Sequence, residues 1–145
     1  MTIRQIEFDS DEYEQMIDLR VSQLLAPIGV PATFIEKTKE QDDYLVGAFE
    51  KQELIGCCIL TPINNTIIQL RQMAVRSDYR GKGVGAAIID FAERLANENK
   101  FSILMMHARD PVLDFYKKCG YEICSEQFFE VGIGHHKMQK EISKR

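Results

Sequence analysis

The apolar and polar positions change period twice along the chain. TIRQIEF, near the N-terminus, alternates, which predicts an opening strand. Ser10 or Asp11 can cap a helix that runs through Tyr13, Met16, Ile17, Leu19 and Arg20. LLAPIGVPATF holds Pro27, Gly29 and Pro31, so irregular backbone or a broken helix is expected there. YLVGAFE and LIGCCIL read as strands joined by a polar turn. Asn64-Asn65 marks a second hairpin into TIIQLRQMAV. Together they predict an antiparallel meander of three strands over residues 44–75.

Helical spacing then takes over. Val84, Ile88, Phe91 and Leu95 recur along VGAAIIDFAERLANE. FSILMMHA is nearly all apolar and predicts a buried central strand that ends at His107. Pro111 can start a helix over DPVLDFYKKC, with Gly120 as its C-cap. YEIC and a strand near VGIGHHKMQKEI close the chain. The order is β-α-β-β-β-α-β-α-β-β. The expectation is one domain over residues 1–145 of α/β (α+β) class. Its mixed sheet has six to seven strands, an N-terminal antiparallel meander, a β-α-β crossover and helices on both faces.

Composition narrows the function. A 45 % hydrophobic and 28 % charged chain of 145 residues can bury one real core, which excludes disordered and fibrous classes. No apolar run approaches the ~18 to 20 residues of a membrane span, and the acidic N-terminus shows no secretory h-region. No membrane partner and a cytoplasmic location are therefore expected. Cys57, Cys58, Cys119 and Cys124 show no CxxC spacing and read as reduced thiols; Cys57 and Cys58 should point to opposite faces of a strand. The net charge of −4 argues against nucleic acid as a partner. That charge is uneven. Residues 1–65 carry −7, whereas residues 66–85 carry +3, from Arg71, Arg76, Arg80 and Lys82 against Asp78.

The cationic island contains the chemistry. LRQMAVRSDYRGKGVGAAIIDFAE reads as a strand, a loop with glycines at 81, 83 and 85, then a helix. Glycines there let the backbone turn tightly and approach a ligand. Free N–H groups at a helix start, with Arg80 and Lys82 beside them, suit a phosphate or pyrophosphate. A P-loop is excluded, because Lys82 is followed by Gly83 rather than Ser or Thr. Gly81, Gly83 and Ala86 match the dinucleotide fingerprint formally, but antiparallel strands precede them and the chain has no room for a substrate domain.

This segment resembles the pyrophosphate motif of the GNAT superfamily of acetyl-CoA-dependent N-acetyltransferases, Arg/Gln-x-x-Gly-x-Gly/Ala, which Arg80-Gly81-Lys82-Gly83-Val84-Gly85 matches throughout. The preceding MAV and the later DFYKKCGYEI stand at the distances that family has. EVGIGHHKM is similar to a bacterial branch ending in Gly-Ile-Pro-His-x-x-Met, with Gly134 in place of the proline. Ser77 stands where many members have proline. Both departures are expected to affect loop stiffness more than chemistry.

The resemblance implies acetyl-CoA as co-substrate, no metal, and transfer of acetyl to a primary amine by direct attack in a ternary complex. The acceptor would be a small molecule or a peptide, and dimers are common in the family, so a homodimer is compatible with it. Backbone groups of Met73, Ala74 and Val75 would bind the pantetheine arm. The amides of Gly81, Lys82, Gly83, Val84, Gly85 and Ala86, with Arg80, would hold the pyrophosphate. Tyr116 matches the family tyrosine near the coenzyme sulfur.

These roles fit the chemistry. An alkylammonium must lose a proton before it attacks, the developing oxyanion needs a donor, and a phenol can protonate the leaving thiolate. His135 fits the closing motif and titrates near neutrality, which makes it the candidate base. His136 should face the opposite side, on the surface, and His107 should sit by the cofactor cleft. A metal site built from these histidines has no ligand spacing to support it. An arginine recurs at the place of Arg20 in the same branch, as a substrate-side or loop-bracing residue; a solvated helix charge is the plainer reading. The acidity of residues 1–65 predicts a field that favours a cationic amine. A non-catalytic CoA-binding or interaction module on the same fold is the alternative function.

Overall fold

The structure, a computed structural model, describes residues 1–143. The chain runs β1 (Thr2–Gln5), α1 (Asp11–Arg20), several short turns, β2 (Tyr44–Glu50), β3 (Glu53–Pro62) and β4 (Ile67–Val75). It continues α2 (Val84–Glu98), β5 (Ile103–Arg109), α3 (Leu113–Lys118), β6 (Glu122–Ile123), β7 (Phe128–Glu130) and β8 (Ile133–Glu141). All eight strands join one mixed sheet in the order β1-β2-β3-β4-β5-β8-β6, with β7 on β8. Only β4 and β5 pair in parallel among the described strands. The reason is the connection: two parallel neighbours need a crossover, which α2 provides.

Helices cover both faces. On one, Val84, Ile88 and Ile89 of α2 and Tyr116 of α3 pack with Val46, Cys58, Leu70, Leu104, Met106 and Met138. On the other, Tyr13, Met16 and Ile17 of α1 pack with Leu45, Cys57, Ile59 and Ala74. Cys57 and Cys58 therefore point to opposite faces, and both are fully buried. Each large apolar side chain so buried contributes roughly 1.5–3 kcal/mol. Ser10 caps α1, its Oγ accepting from Tyr13 N at 3.2 Å. Past α3, Gly120 takes a left-handed φ of 97° while Tyr121 N reaches back to Tyr116 O at 3.0 Å, which ends the helix. No described helix is long and apolar enough to cross a membrane.

The proline-containing segment is the broken helix expected: α1 runs on into a π turn at Val21–Leu25 and a 3₁₀ turn at Ala26–Ile28. Two elements differ from expectation. The sheet has eight strands, because the C-terminal segment folds into a β7–β8 hairpin. Val131 (φ 46°) and Gly132 (φ 75°) turn it, and a β-branched residue at positive φ is a poor sequence signal for such a turn. The central strand continues past His107 to Arg109, because β8 pairs with it that far.

Candidate active site

β4 and β5 part company halfway. Their pairing covers Ile67–Leu70 against Ile103–Met106 and then stops. From Arg71 to Val75, β4 stays bonded to β3 alone, while His107–Arg109 of β5 stay with β8. The sheet therefore opens into a gap edged by unpaired backbone of β4. A bulge makes the opening. Cys57 pairs with Ala74 and Ile59 with Arg71, so two residues, Gln72 and Met73, oppose Cys58. Gln72 absorbs the extra residue at a φ of 58°. After it the side-chain alternation is reset: Met73 and Val75 pack on the α2 side, and Ala74 on the α1 side.

The Gly-rich turn lies at the end of β4. Gly81 (φ 75°) and Gly83 (φ 83°) are left-handed, and a Cβ on either would meet nothing within 4 Å. Backbone conformation, not crowding, requires glycine at both, and the space outside them is open. Gly85 differs: its Cβ would stand 3.0 Å from Phe115 Cζ, so this third glycine lets α2 and α3 pack closely. Gly83 is the N-cap of α2 and supplies no side-chain cap, which leaves the amides of the first turn unsatisfied. Val84 is buried and anchors that turn, while Arg80 and Lys82 are exposed. Arg80 Nη2 donates to Gln23 Oε1 at 2.5 Å, tying the loop to the π turn.

Tyr116 approaches from the α3 side. Its ring is buried, edge-on to Phe115 and Tyr121 with centroids 5.1 Å and 6.2 Å away. Burial pushes the phenol well above its ordinary acidity range, so it stays protonated at neutral pH. The hydroxyl has no hydrogen-bond partner among the described residues. It is also absent from the sealed, unpartnered polar atoms there, which are Arg20 Nε and Asp43 Oδ2.

The three histidines separate. His135 is buried on β8, opposite Arg109 of β5, one strand back from the gap. Its Nδ1 lies 2.7 Å from Ile133 O; a carbonyl only accepts, so Nδ1 carries a proton and Nε2 is the nitrogen left to exchange one. The ring stacks on Phe128. His107 borders the gap on the same face and bonds Glu130 Oε1 at 2.6 Å. His136 is not the free surface residue expected. It is half-buried on the opposite face, 2.7 Å from Asp110 Oδ1, and Asp110 Oδ2 accepts from Gln127 Nε2 at 2.6 Å. Those two bonds hold the Asp110 carboxyl below its usual range. The same cluster explains Gly134. A Cβ there would stand 2.5 Å from Asp110 Oδ2 and 2.6 Å from Gln127 Nε2, so glycine provides room rather than loop flexibility.

Arg20 is not a solvated charge. It is 1 % exposed, and both Nη atoms donate to Glu40 at 2.7 Å, where the Tyr13 hydroxyl also donates at 2.8 Å. Burial alone would raise the Glu40 carboxyl, but the Arg20 fork and Tyr13 hydroxyl hold it below the usual range. Glu40 ends a 3₁₀ turn (Lys37–Glu40), so the pair fixes this loop to α1. Nothing in the sequence marks Glu40 as the partner; only the fold brings it within reach.

Arg20 and Glu40 also line a cavity of about 250 Å³ with Leu25, Phe34, Arg71 and Gln72. The cavity lies on the α1 face beside the gap. Only Glu36 and Glu40 of the acids in residues 1–65 line it, and both are paired, with Lys39 and Arg20. The N-terminal acidity thus does not converge on this cavity. No group of three or more His, Cys, Asp or Glu residues is arranged to hold a metal ion among the described residues.

The family model described as an acetyltransferase (GNAT) domain matches residues 12–142. The YyaT protein of Bacillus subtilis is 34 % identical over 76 residues, covering 52 % of this chain and 51 % of that one. A streptothricin acetyltransferase of Escherichia coli is 29 % identical over 87 residues, 58 % and 50 % of the two chains. The chain thus spans about half the length of the curated relatives it matches. In fold it is similar to an aminoglycoside 6'-N-acetyltransferase solved with coenzyme A, at a TM-score of 0.83 and 17 % identity over 98 % of this chain and 97 % of that one.

Proposed function

The chain belongs to the GNAT acetyltransferase family, and from that premise we propose that it is an N-acetyltransferase, moving acetyl from acetyl-CoA to a primary amine in a ternary complex. One observation supports the reading: β4 loses its β5 partner just before an uncapped helix start, and the unpartnered Tyr116 phenol belongs to the same apolar cluster as Met73, Val75 and Val84. These features fit the coenzyme. Unsatisfied amides of Gly83, Val84, Gly85 and Ala86, with Gly81, Arg80 and Lys82, suit its pyrophosphate. The free edge of Met73, Ala74 and Val75 can accept an extended amide chain as an added strand would.

Acetyl-CoA supplies an activated thioester carbonyl. The protein supplies proton positions and orientation. A backbone N–H of the bulged β4 segment polarises the carbonyl oxygen. Tyr116 O–H gives its proton to the departing thiolate and regains one from the second proton that the amine nitrogen loses as the amide forms; the dry surroundings that raise the phenol also raise the basicity of a thiolate brought beside it. On the opposite face, His135 Nε2 takes the proton from the attacking ammonium, through water because it stands one strand back. Donor and acceptor thus occupy different faces of the sheet, connected by the gap.

Calorimetric titration with acetyl-CoA, followed by CoA release against a varied amine panel, tests the proposal. Binding without NADH competition and amine-dependent thiol release are expected. No binding at millimolar acetyl-CoA would overturn it, and tight binding with no thiol release would favour a non-catalytic module. His135→Ala should alter the acidic limb of the pH–rate profile; an intact profile removes His135 as the base.

A further inference from the structure

The arginines of this protein divide sharply by partner. Arg4 meets Glu12, Arg20 meets Glu40, Arg76 meets Asp78 and Glu53, and Arg94 meets Asp90. Among the described residues, Arg71, Arg80 and Arg109 meet no carboxylate within ion-pair distance. Arg80 belongs to the Gly-rich loop already assigned to phosphate. The other two stand on either side of the gap, on the α1 face. Arg71 is the first residue of β4 beyond the β5 pairing, and it lines the cavity. Its Nη1 makes only a long 3.4 Å bond to Thr61 Oγ1. Asp43 and Glu40 feel its charge without meeting it as an ion pair. Arg109, at the end of β5, donates through Nη2 to Leu24 O at 3.3 Å, next to cavity-lining Leu25.

A chain with a net charge of −4 thus keeps two guanidinium groups without an ion-pair partner beside one gap. The cavity that Arg71 lines is also cationic on balance: Arg20, Arg71 and Lys39 stand against Glu36 and Glu40, and the two acids are already paired. At about 250 Å³ it holds a small molecule, being below the usual range for ligand pockets of roughly 300–1,000 Å³. A planar guanidinium with free N–H groups matches the two oxygens of a carboxylate.

We propose that the acceptor is a small amine that also carries a carboxylate, held by Arg71 in the cavity, with Arg109 across the gap at the end of β5. This inference rests on the acetyltransferase reading of the same gap and names its second substrate. It departs from the expectation that N-terminal acidity favours a cationic amine, because the two acids that line the cavity, Glu36 and Glu40, are paired with Lys39 and Arg20.

The test compares α-amino acids and longer amino carboxylic acids with their carboxamides and with the amines lacking the acid group, by CoA release. Phosphoethanolamine against ethanolamine asks whether phosphate serves instead. The acids should exceed their neutral counterparts in kcat/KM by about tenfold or more. Arg71→Gln should bring that ratio toward one, and Arg71→Lys should recover part of it. Acetyl-CoA affinity should stay unchanged in both. A preference for neutral or polycationic amines, for phosphate over carboxylate, or an acid preference that survives Arg71→Gln overturns the inference while leaving the transferase intact. Should no amine react, N-acetyl amino acids and their amides are titrated into the CoA-bound protein. Arg71-dependent binding of the acids supports the inference, and its absence overturns it.

Discussion

Glu40→Gln isolates the energetic role of the Arg20 pair. The substitution keeps the shape of the side chain but leaves the Arg20 guanidinium, 1 % exposed, without a counter-charge. Its Nε is already sealed without a partner, so Glu40 supplies the side-chain hydrogen bonds of this guanidinium. Removing one partner of a buried pair costs about 3–5 kcal/mol. An unfolding entropy of ~2.1 cal/mol/K per residue gives about 0.3 kcal/mol/K over 145 residues. Tm should therefore fall by roughly 10–16 °C, measured by calorimetry near neutral pH. The pH dependence provides a second check. Glu40 is depressed in the folded state, so its contribution is full above the ordinary glutamate range and is lost as the pH falls through the folded value. The gap between wild type and variant should narrow in acid. A combined Tyr13→Phe, Arg20→Met, Glu40→Leu variant should recover most of the loss, because no polar group is then left buried unpaired. A fall below about 3 °C, or a gap that does not close in acid, would refute the buried-pair reasoning.

Tyr116→Phe should lower kcat about tenfold to a hundredfold with acetyl-CoA affinity nearly unchanged; an unaltered kcat removes the proton-donor role. Gly83→Ala forces a Cβ onto a left-handed residue (φ 83°) and should cost about 1 kcal/mol and weaken acetyl-CoA binding, since the strain falls on the amides of the α2 start. Equal affinity by calorimetry would show that this turn does not hold the pyrophosphate. Exposed Cys124 should react with a thiol reagent first, while burial, which pushes Cys57 up to about 12 and Cys58 well above the usual thiol range, should protect both until unfolding. Modification of Cys57 or Cys58 in the native protein, read by mass spectrometry, would contradict that packing.

The sequence by itself determined the elements that depend on near neighbours. Alternation set the β2–β4 meander, the spacing of Val84, Ile88 and Leu95 set α2, and the glycines at 81 and 83 marked a turn that only a left-handed backbone makes. These signals are legible because periodicity, capping and turn chemistry act within a few residues. Through its resemblance to a known family it also marked Tyr116 and His135, and through its charge the cationic island, as candidates for chemistry. Only the tertiary structure decided what those groups meet. Arg20 and Glu40 are twenty residues apart in the chain, Asp110 and His136 twenty-six, and Arg109 and Leu24 eighty-five. No local pattern records such pairings, because strand register and helix docking create them. The bulge at Gln72 belongs to the same class: it appears only where β3 and β4 fall out of step, and it resets the side chains along the free edge of the gap. The charge distribution shows the difference most plainly. Chain position suggested an acidic field from residues 1–65, whereas folding paired the two acids that reach the cavity and left Arg71 and Arg109 beside the gap without ion-pair partners, because ion pairs form through space rather than along the chain.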